Sequence, residues 1–319
     1  MRIWTIITPE KEYEIEISKR TLLYNHHYEW NQLTRIINNF FNARNSNVEI
    51  FEDGIPIIKK DWKCYFIPYD VNIQLSKVTA SSPLKEVQNN ITEQLVYSPL
   101  YQELVALWEQ LNDELEFVNK KLKKWKIKAN LNNINEKSLS QFINFLPTKD
   151  YELSPIEVKK LLLNIILENN LDKKTLIIVE LPELFANDEE MKQFKILVDE
   201  AVDKGYQFIL ISNEDELGVG NYYYKNKIVH LALLEQIKQK VCHEVPFYCP
   251  DELYDKAKTL FLKLVDNSIS EADLMNLEKE NFSALITIIY VIMYNLDMDP
   301  IHIPQGLESN IQKFIASLN

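Results

Sequence analysis

The sequence predicts a mixed α/β protein whose strand-bearing part is interrupted by a helical insertion and followed by an all-helical C-terminal extension. Three observations predict it. Period-two and continuous apolar runs, the marks of strands, occupy residues 1–90 and 172–245. Between them, over 91–171, apolar residues step by threes and fours. Over 246–319 the spacing is helical throughout. The expected order is thus a head (1–90), a leg (91–171), the rest of the head (172–245) and an extension (246–319).

The elements follow in order. Trp4 and Ile6, then Tyr13, Ile15 and Ile17, alternate with polar residues on either side of Pro9-Glu10-Lys11, which predicts a β-hairpin with one wet face. Arg20–Tyr24 suits a third strand, and Tyr28–Phe41 a helix with Trp30, Leu33, Ile36, Ile37 and Phe40 on one side. Val48–Phe51 and Lys63–Ile67 are strand candidates around the turn residues Gly54-Ile55-Pro56. From Pro99, Leu100, Leu104, Leu107, Leu111, Leu115, Val118, Leu122 and Trp125 predict one long amphipathic helix with a seam like that of a coiled coil, capped by Ser98. Ser138–Phe145 and Ser154–Asn169 are shorter helical patterns. Thr175–Val179 reads as a strand buried on both faces, followed by a helix over Asp188–Lys204, Gly205 and a strand over Phe208–Ile211. That order predicts a right-handed crossover in a parallel sheet. Ile228–Leu233 suits another strand, and Leu253–Val265, Glu271–Glu280, Phe282–Leu296 and Leu307–Leu318 suit helices.

Composition bounds the function. Of 319 residues, 46% are hydrophobic and 26% charged, which excludes a disordered or collagen-like chain. The net charge of −12 argues against a surface that is basic all over but is compatible with one basic patch or channel. About half of that charge lies in Pro250–Asn319, with eleven acidic residues against five basic. Three cysteines, Cys64, Cys242 and Cys249, do not make a disulfide framework. The opening apolar run is too short for a signal peptide. The longest apolar stretch, Ala284–Leu296, falls short of the roughly 20 residues that span a bilayer. A cytoplasmic protein with no membrane partner is the expectation.

Chemistry is sparse. A strand, a loop and a helix at Arg20–Phe41 occupy the place of a phosphate loop, and Thr175–Val179 ending in Glu180 resembles the strand and acid that help hold magnesium in nucleotide hydrolases. Yet the loop reads Asn25-His26-His27, and the whole chain has only five glycines. Without glycines the backbone does not wrap phosphates, and without a lysine nothing neutralises them. The fold class is therefore α/β with a degenerate nucleotide-hydrolase-like head and no catalytic residue assigned. Cys242-His243 with Cys249 lacks the paired spacing of a zinc site and reads as buried thiols. Asp188-Glu189-Glu190 and Glu214-Asp215-Glu216 read as solvated carboxylates at helix starts.

One cluster stands out. Lys120, Lys121, Lys123, Lys124, Lys126 and Lys128, around Trp125, put six of the 35 basic residues into nine positions. A helix C-terminus favours such charge for structural reasons. The functional reading is a stripe that contacts phosphates without reading base sequence.

The run Glu12-Tyr-Glu-Ile-Glu-Ile-Ser-Lys-Arg-Thr-Leu-Leu-Tyr-Asn25, the helix Tyr28–Phe41, the run Lys173-Lys-Thr-Leu-Ile-Ile-Val-Glu180, the helix after it and Gly205-Tyr-Gln-Phe-Ile-Leu-Ile-Ser212 recur together in one family. In these stretches the chain resembles the ring-forming, DNA-end-binding adaptation proteins of type II-A CRISPR systems, and its tail is similar to their longer-chain branch. The resemblance implies a degenerate nucleotide-hydrolase head and a homotetrameric ring with a lysine-lined channel for linear double-stranded DNA. It implies no catalytic activity, and a role in spacer acquisition beside the CRISPR integrase complex and the effector nuclease. Shorter members bind calcium through acids near the hinge of the leg. Here Lys120–Lys137 holds Glu136 as its only acid, so no calcium ligand is carried over and no cofactor is expected. The expected function is non-catalytic DNA-end binding. Its rivals are a divergent nucleotide hydrolase or metal-dependent nuclease using Glu180, and an interaction scaffold that ignores DNA.

Overall fold

The structure, a computed structural model, describes residues 2–72, 75, 78–146, 148, 153–168, 173–214, 217–275, 281–302 and 307–318. It divides into two compact units, Met1–Tyr69 with Leu171–Asn319, and Asp70–Asn170. In chain order the first unit opens with β1 (Arg2–Ile7), β2 (Glu12–Ile17), β3 (Arg20–Tyr24), α1 (His27–Asn42), β4 (Glu49–Glu52), β5 (Ile55–Pro56) and β6 (Trp62–Ile67). The second holds α2 (Leu84–Val96), α3 (Pro99–Leu122), α4 (Glu136–Ser140) and α5 (Pro155–Glu168). The first resumes with β7 (Lys174–Glu180), α6 (Asp188–Asp203), β8 (Gln207–Ile211), β9 (Val219–Tyr224), β10 (Lys227–His230) and α7 (Leu231–Glu244). It ends with α8 (Asp251–Val265), α9 (Glu271–Met275), α10 (Phe282–Asn295) and α11 (Ser309–Leu318).

The first unit has two sheets. One runs β2-β1-β4-β5, antiparallel throughout, with β1 and β2 forming the expected hairpin in the register Trp4 to Ile15. Asp53 and Gly54, both at positive φ, make the tight turn from β4 to β5. The other sheet runs β10-β9-β3-β8-β7-β6, parallel from β9 to β6 with β10 antiparallel at the edge. Its five parallel strands, counted along the chain, lie in the order fifth, first, fourth, third, second. The first of them, β3, therefore has later strands on both sides, and the loop at its carboxyl end sits where an open α/β sheet changes direction.

The periodicity explains the packing. Trp30, Leu33, Ile37 and Phe40 form the buried stripe of α1, and they share one core with Trp4, Ile6 and Ile15 of the first sheet and Leu23, Ile178 and Ile209 of the second. Helix α6 starts on a capping box, in which Asn187 accepts the Glu190 N–H and Glu190 accepts the Asn187 N–H. The Asp188-Glu189-Glu190 carboxylates thus sit at a helix start, whereas Asp215 and Glu216 lie outside the described residues. Helix α10 is buried continuously from Leu285 to Met293, which makes it the centre of a second core with α7, α8 and α11. The C-terminal helices and the sheet-flanking α7 accordingly belong to one compact unit.

Several elements differ from the sequence expectation. Strand β10 stops at His230, because the imidazole Nδ1 accepts the Leu233 N–H and starts α7 there. The apolar run Ile228–Leu233 therefore spans a strand end and a helix start. Helices α2 and α7 and strand β9 have no counterpart in the sequence expectation. The long helix ends at Leu122 rather than Trp125, followed by a 3-10 turn over Lys123–Trp125. Ser98 occupies its N-cap position but makes no side-chain capping bond. Residues 276–280 of the expected helix Glu271–Glu280, and Asn169 of Ser154–Asn169, lie outside the described residues. No helix among the described residues is long and apolar enough to cross a membrane.

Candidate nucleic-acid interface

The six lysines sit on a turn rather than on one helix face. Lys120 and Lys121 end α3, Lys123 and Lys124 belong to the 3-10 turn, and Lys126 adopts a left-handed backbone (φ 57°) that sends the chain back. Lys128 lies on the returning segment. All six are exposed, and no ion pair joins any of them to an acid among the described residues. Lys124 Nζ stands 4.1 Å from the centroid of the Trp125 ring, which is itself 60% exposed. Lys120 Nζ is 4.8 Å from that of Phe117. Lys120, Lys123 and Lys128 line a groove of about 260 Å³ with Asn119 and Ile127, and Glu116 is its one acid.

What holds this turn is a set of side chains that the sequence reading did not single out. The Asn119 amide donates to Ala129 O (2.9 Å) and accepts the Ala129 N–H (2.8 Å), as a paired strand would. Further back along α3, Trp108 Nε1 donates to Asn132 O (2.8 Å) and Asn112 Oδ1 accepts the Leu131 N–H (3.4 Å). Residues 129–132 are thereby stitched along the helix, and Lys126 and Lys128 are held close to Lys120 and Lys123. The signal was present as a polar line at positions 108, 112 and 119, spaced to fall on one helix face. Helix α3 is otherwise strangely bare: Asn119 is its only buried residue, while Leu100, Leu104, Leu107, Leu111 and Val118 are exposed in a continuous seam.

The second place of interest is the loop after β3. Asn25 and His26 both have left-handed backbones (φ 55° and 44°) and lead into the N-terminus of α1. His26 holds the cap position without a side-chain capping bond, and its ring lies 5.8 Å from that of Tyr223. The His27 ring lies 5.8 Å from that of Tyr69, and its burial pushes the imidazole pKa down despite the nearby Glu183. Asn25 Nδ2 donates to Asp266 O. The helix N-terminus is thus surrounded by aromatic rings, with no lysine or glycine in its loop. Glu180, fully buried at the end of β7, accepts from Asn31 Nδ2 and from the Tyr69 N–H (3.2 Å), so both of its oxygens are engaged within the fold.

Comparison with known proteins places the fold. The chain aligns with Stu0660 of Streptococcus thermophilus over 98% of its own length and 99% of that protein's, at a TM-score of 0.51 and 15% identity. It shares that protein's fold. MJ1267, an ATP-binding cassette of an ABC transporter in its ADP conformation, aligns over 72% of this chain and 90% of its own, at a TM-score of 0.38 and 15% identity. CbiO1 from Clostridium perfringens, part of the ABC transporter complex cbiONQ, aligns over 76% and 96%, at 0.39 and 14%. No protein-family model and no curated protein matches the sequence.

Among the described residues no group of three or more His, Cys, Asp or Glu side chains converges as a metal ligand set. Cys242 and Cys249 are half-buried rather than enclosed, and their sulfurs lie 3.2 Å apart. Cys64 is buried and its thiol pKa is pushed far upward by desolvation.

Proposed function

We propose that this protein is a non-catalytic, sequence-independent binder of linear double-stranded DNA, acting as a homotetrameric ring in type II-A CRISPR adaptation. The observation that carries the reading is the lysine turn: six exposed ammonium groups, none ion-paired among the described residues, on a protein whose net charge is −12. Such point charges displace counterions from the phosphate backbone and leave base edges unread. Concentrating them on one turn lets an acidic protein approach DNA through that turn alone.

Two further features support it. The parallel strand order and the placement of β3, α1 and β7 suit a head of nucleotide-hydrolase type, and the Asn25-His26-His27 loop lacks the groups that grip phosphate. The second is the exposed seam Leu100–Leu104–Leu107–Leu111–Val118 on a helix that buries only Asn119. A seam of that spacing calls for a facing helix, and a second copy of the chain supplies one. In this reading the protein is cytoplasmic, needs no cofactor, and hands DNA ends to the CRISPR integrase complex and effector nuclease.

The test is a mobility shift at two salt concentrations on linear and closed-circular duplex, with light scattering on the free protein. Salt-sensitive binding of the linear form alone, by a particle near four times the 37.6 kDa chain, is expected. Equal binding to linear and circular DNA would overturn threading through a ring, and binding to neither would overturn the DNA reading. The enzymatic alternative rests on the position of Glu180. Turnover of a labelled nucleotide or of DNA that disappears in Glu180→Ala, in protein shown by its unfolding transition to be folded, would establish it.

A further inference from the structure

Cys242 lies in the last turn of α7, and Cys249 lies two residues before the first residue of α8. Their sulfurs are 3.2 Å apart, inside ordinary van der Waals contact and about 1.2 Å longer than a covalent S–S bond. The segment joining them is not slack. Val245 is buried and its N–H donates to Val241 O, and Phe247 packs against the C-terminal core. Pro246 and Pro250 each fix one backbone dihedral on either side of Cys249. The fold therefore presents the two thiols to each other, and both are partly open to solvent.

We propose that Cys242 and Cys249 are a dithiol site that hydrogen peroxide closes to an intrachain disulfide, stapling α7 to α8. The atoms balance. One thiolate attacks a peroxide oxygen, so an S–O bond forms as the O–O bond breaks, and water leaves after protonation. The second thiol then attacks the resulting sulfenic sulfur, the S–S bond forms, and the hydroxyl departs as a second water. Two thiols and one peroxide give one disulfide and two waters; sulfur is oxidised and the peroxide oxygens are reduced.

The surroundings favour closure over further oxidation. Burial, together with the neighbouring Cys242 and Asp251, pushes the Cys249 thiol up to about 12, so its thiolate is scarce at neutral pH and attack on peroxide, first or repeated, is slow at that sulfur. A sulfenic acid formed at either position meets the other sulfur before a second peroxide molecule arrives. The disulfide joins the helix that follows the edge strand β10 to the first helix of the C-terminal core, and closes a loop of only a few residues. Its effect on stability is accordingly modest, a rise in Tm of about 2–4 °C that reductant reverses.

The experiment treats the full-length protein with hydrogen peroxide, digests it with trypsin without reduction and weighs the peptides. Cleavage after Lys240 and Lys256 places both cysteines on one peptide, which should lose two hydrogens and regain them with dithiothreitol. Cys64 should stay a free thiol. Cys242→Ser and Cys249→Ser should each abolish the loss of two hydrogens. Persistence of that loss in either variant would overturn the assignment. So would stable sulfinic acid in place of the disulfide, unchanged thiols, or a disulfide that links two chains.

Discussion

The side-chain amide of Asn221 pairs with the backbone of Glu16 as a neighbouring strand would. Its Oδ1 accepts the Glu16 N–H at 2.6 Å and its Nδ2 donates to Glu16 O at 2.9 Å. One residue of β9 thereby joins the six-stranded sheet to β2 of the four-stranded sheet. The Glu16 carboxylate completes the link by accepting the Ala232 N–H (3.0 Å) at the start of α7. Both side chains are almost wholly buried, so each bond is made where water offers no substitute.

Asn221→Asp should therefore be severely destabilising. It exchanges the Nδ2 donor for an acceptor facing the carbonyls of Glu16 and Leu22. A loss of about 3 kcal/mol in denaturant-induced unfolding is expected, with Asn221→Ala somewhat milder.

Glu16 makes stability depend on pH. Burial opposes its charge, but His230 and the Ala232 N–H outweigh burial and hold the carboxyl below its ordinary range. A folded-state value lower than the unfolded one contributes stability that is fully present above the unfolded value of about 4.3 and disappears as pH falls through the folded value. The stability gap between wild type and Glu16→Gln, measured by urea unfolding, should be constant near pH 7 and shrink below about pH 4.

The lysine turn predicts a salt dependence. Each lost phosphate contact should flatten the slope of log affinity against log salt by about 0.9. Alanine at Lys120, Lys121, Lys123, Lys124, Lys126 and Lys128 together should abolish most binding. An unchanged affinity and slope would sink the assignment.

Asn119 separates geometry from charge. Asn119→Ala removes the clamp on Ala129 but no lysine. DNA affinity should fall several-fold, by about 1 kcal/mol, while the salt slope stays that of wild type, as a fluorescence anisotropy titration would read it.

Glu180 should matter to folding rather than to DNA. Glu180→Ala leaves the Asn31 amide and the Tyr69 N–H without their acceptor in a buried site. A loss of about 2–3 kcal/mol in thermal or urea unfolding is expected. DNA affinity of the folded fraction should be unchanged.

The local patterns were legible in the sequence because they depend on near neighbours. The period of two in Tyr13–Ile17, the period of three to four in Tyr28–Phe41, the buried run Thr175–Val179 and the density of lysines at 120–128 are all set within one element. So was the lack of a phosphate cradle after β3, since five glycines in 319 residues are visible without a fold. What only the tertiary structure decided is how polar groups far apart in the chain are paired. Asn221 meets Glu16 across 205 positions, Glu180 meets Asn31 across 149, and the His230 imidazole turns a strand into a helix. The same holds for the lysines, whose grouping around a turn rather than along a helix follows from the Asn119–Ala129 clamp. A hydrophobic stripe announces itself by spacing, because any apolar neighbour satisfies it. A buried hydrogen bond needs one particular partner, and which partner arrives is known only once the chain has closed on itself.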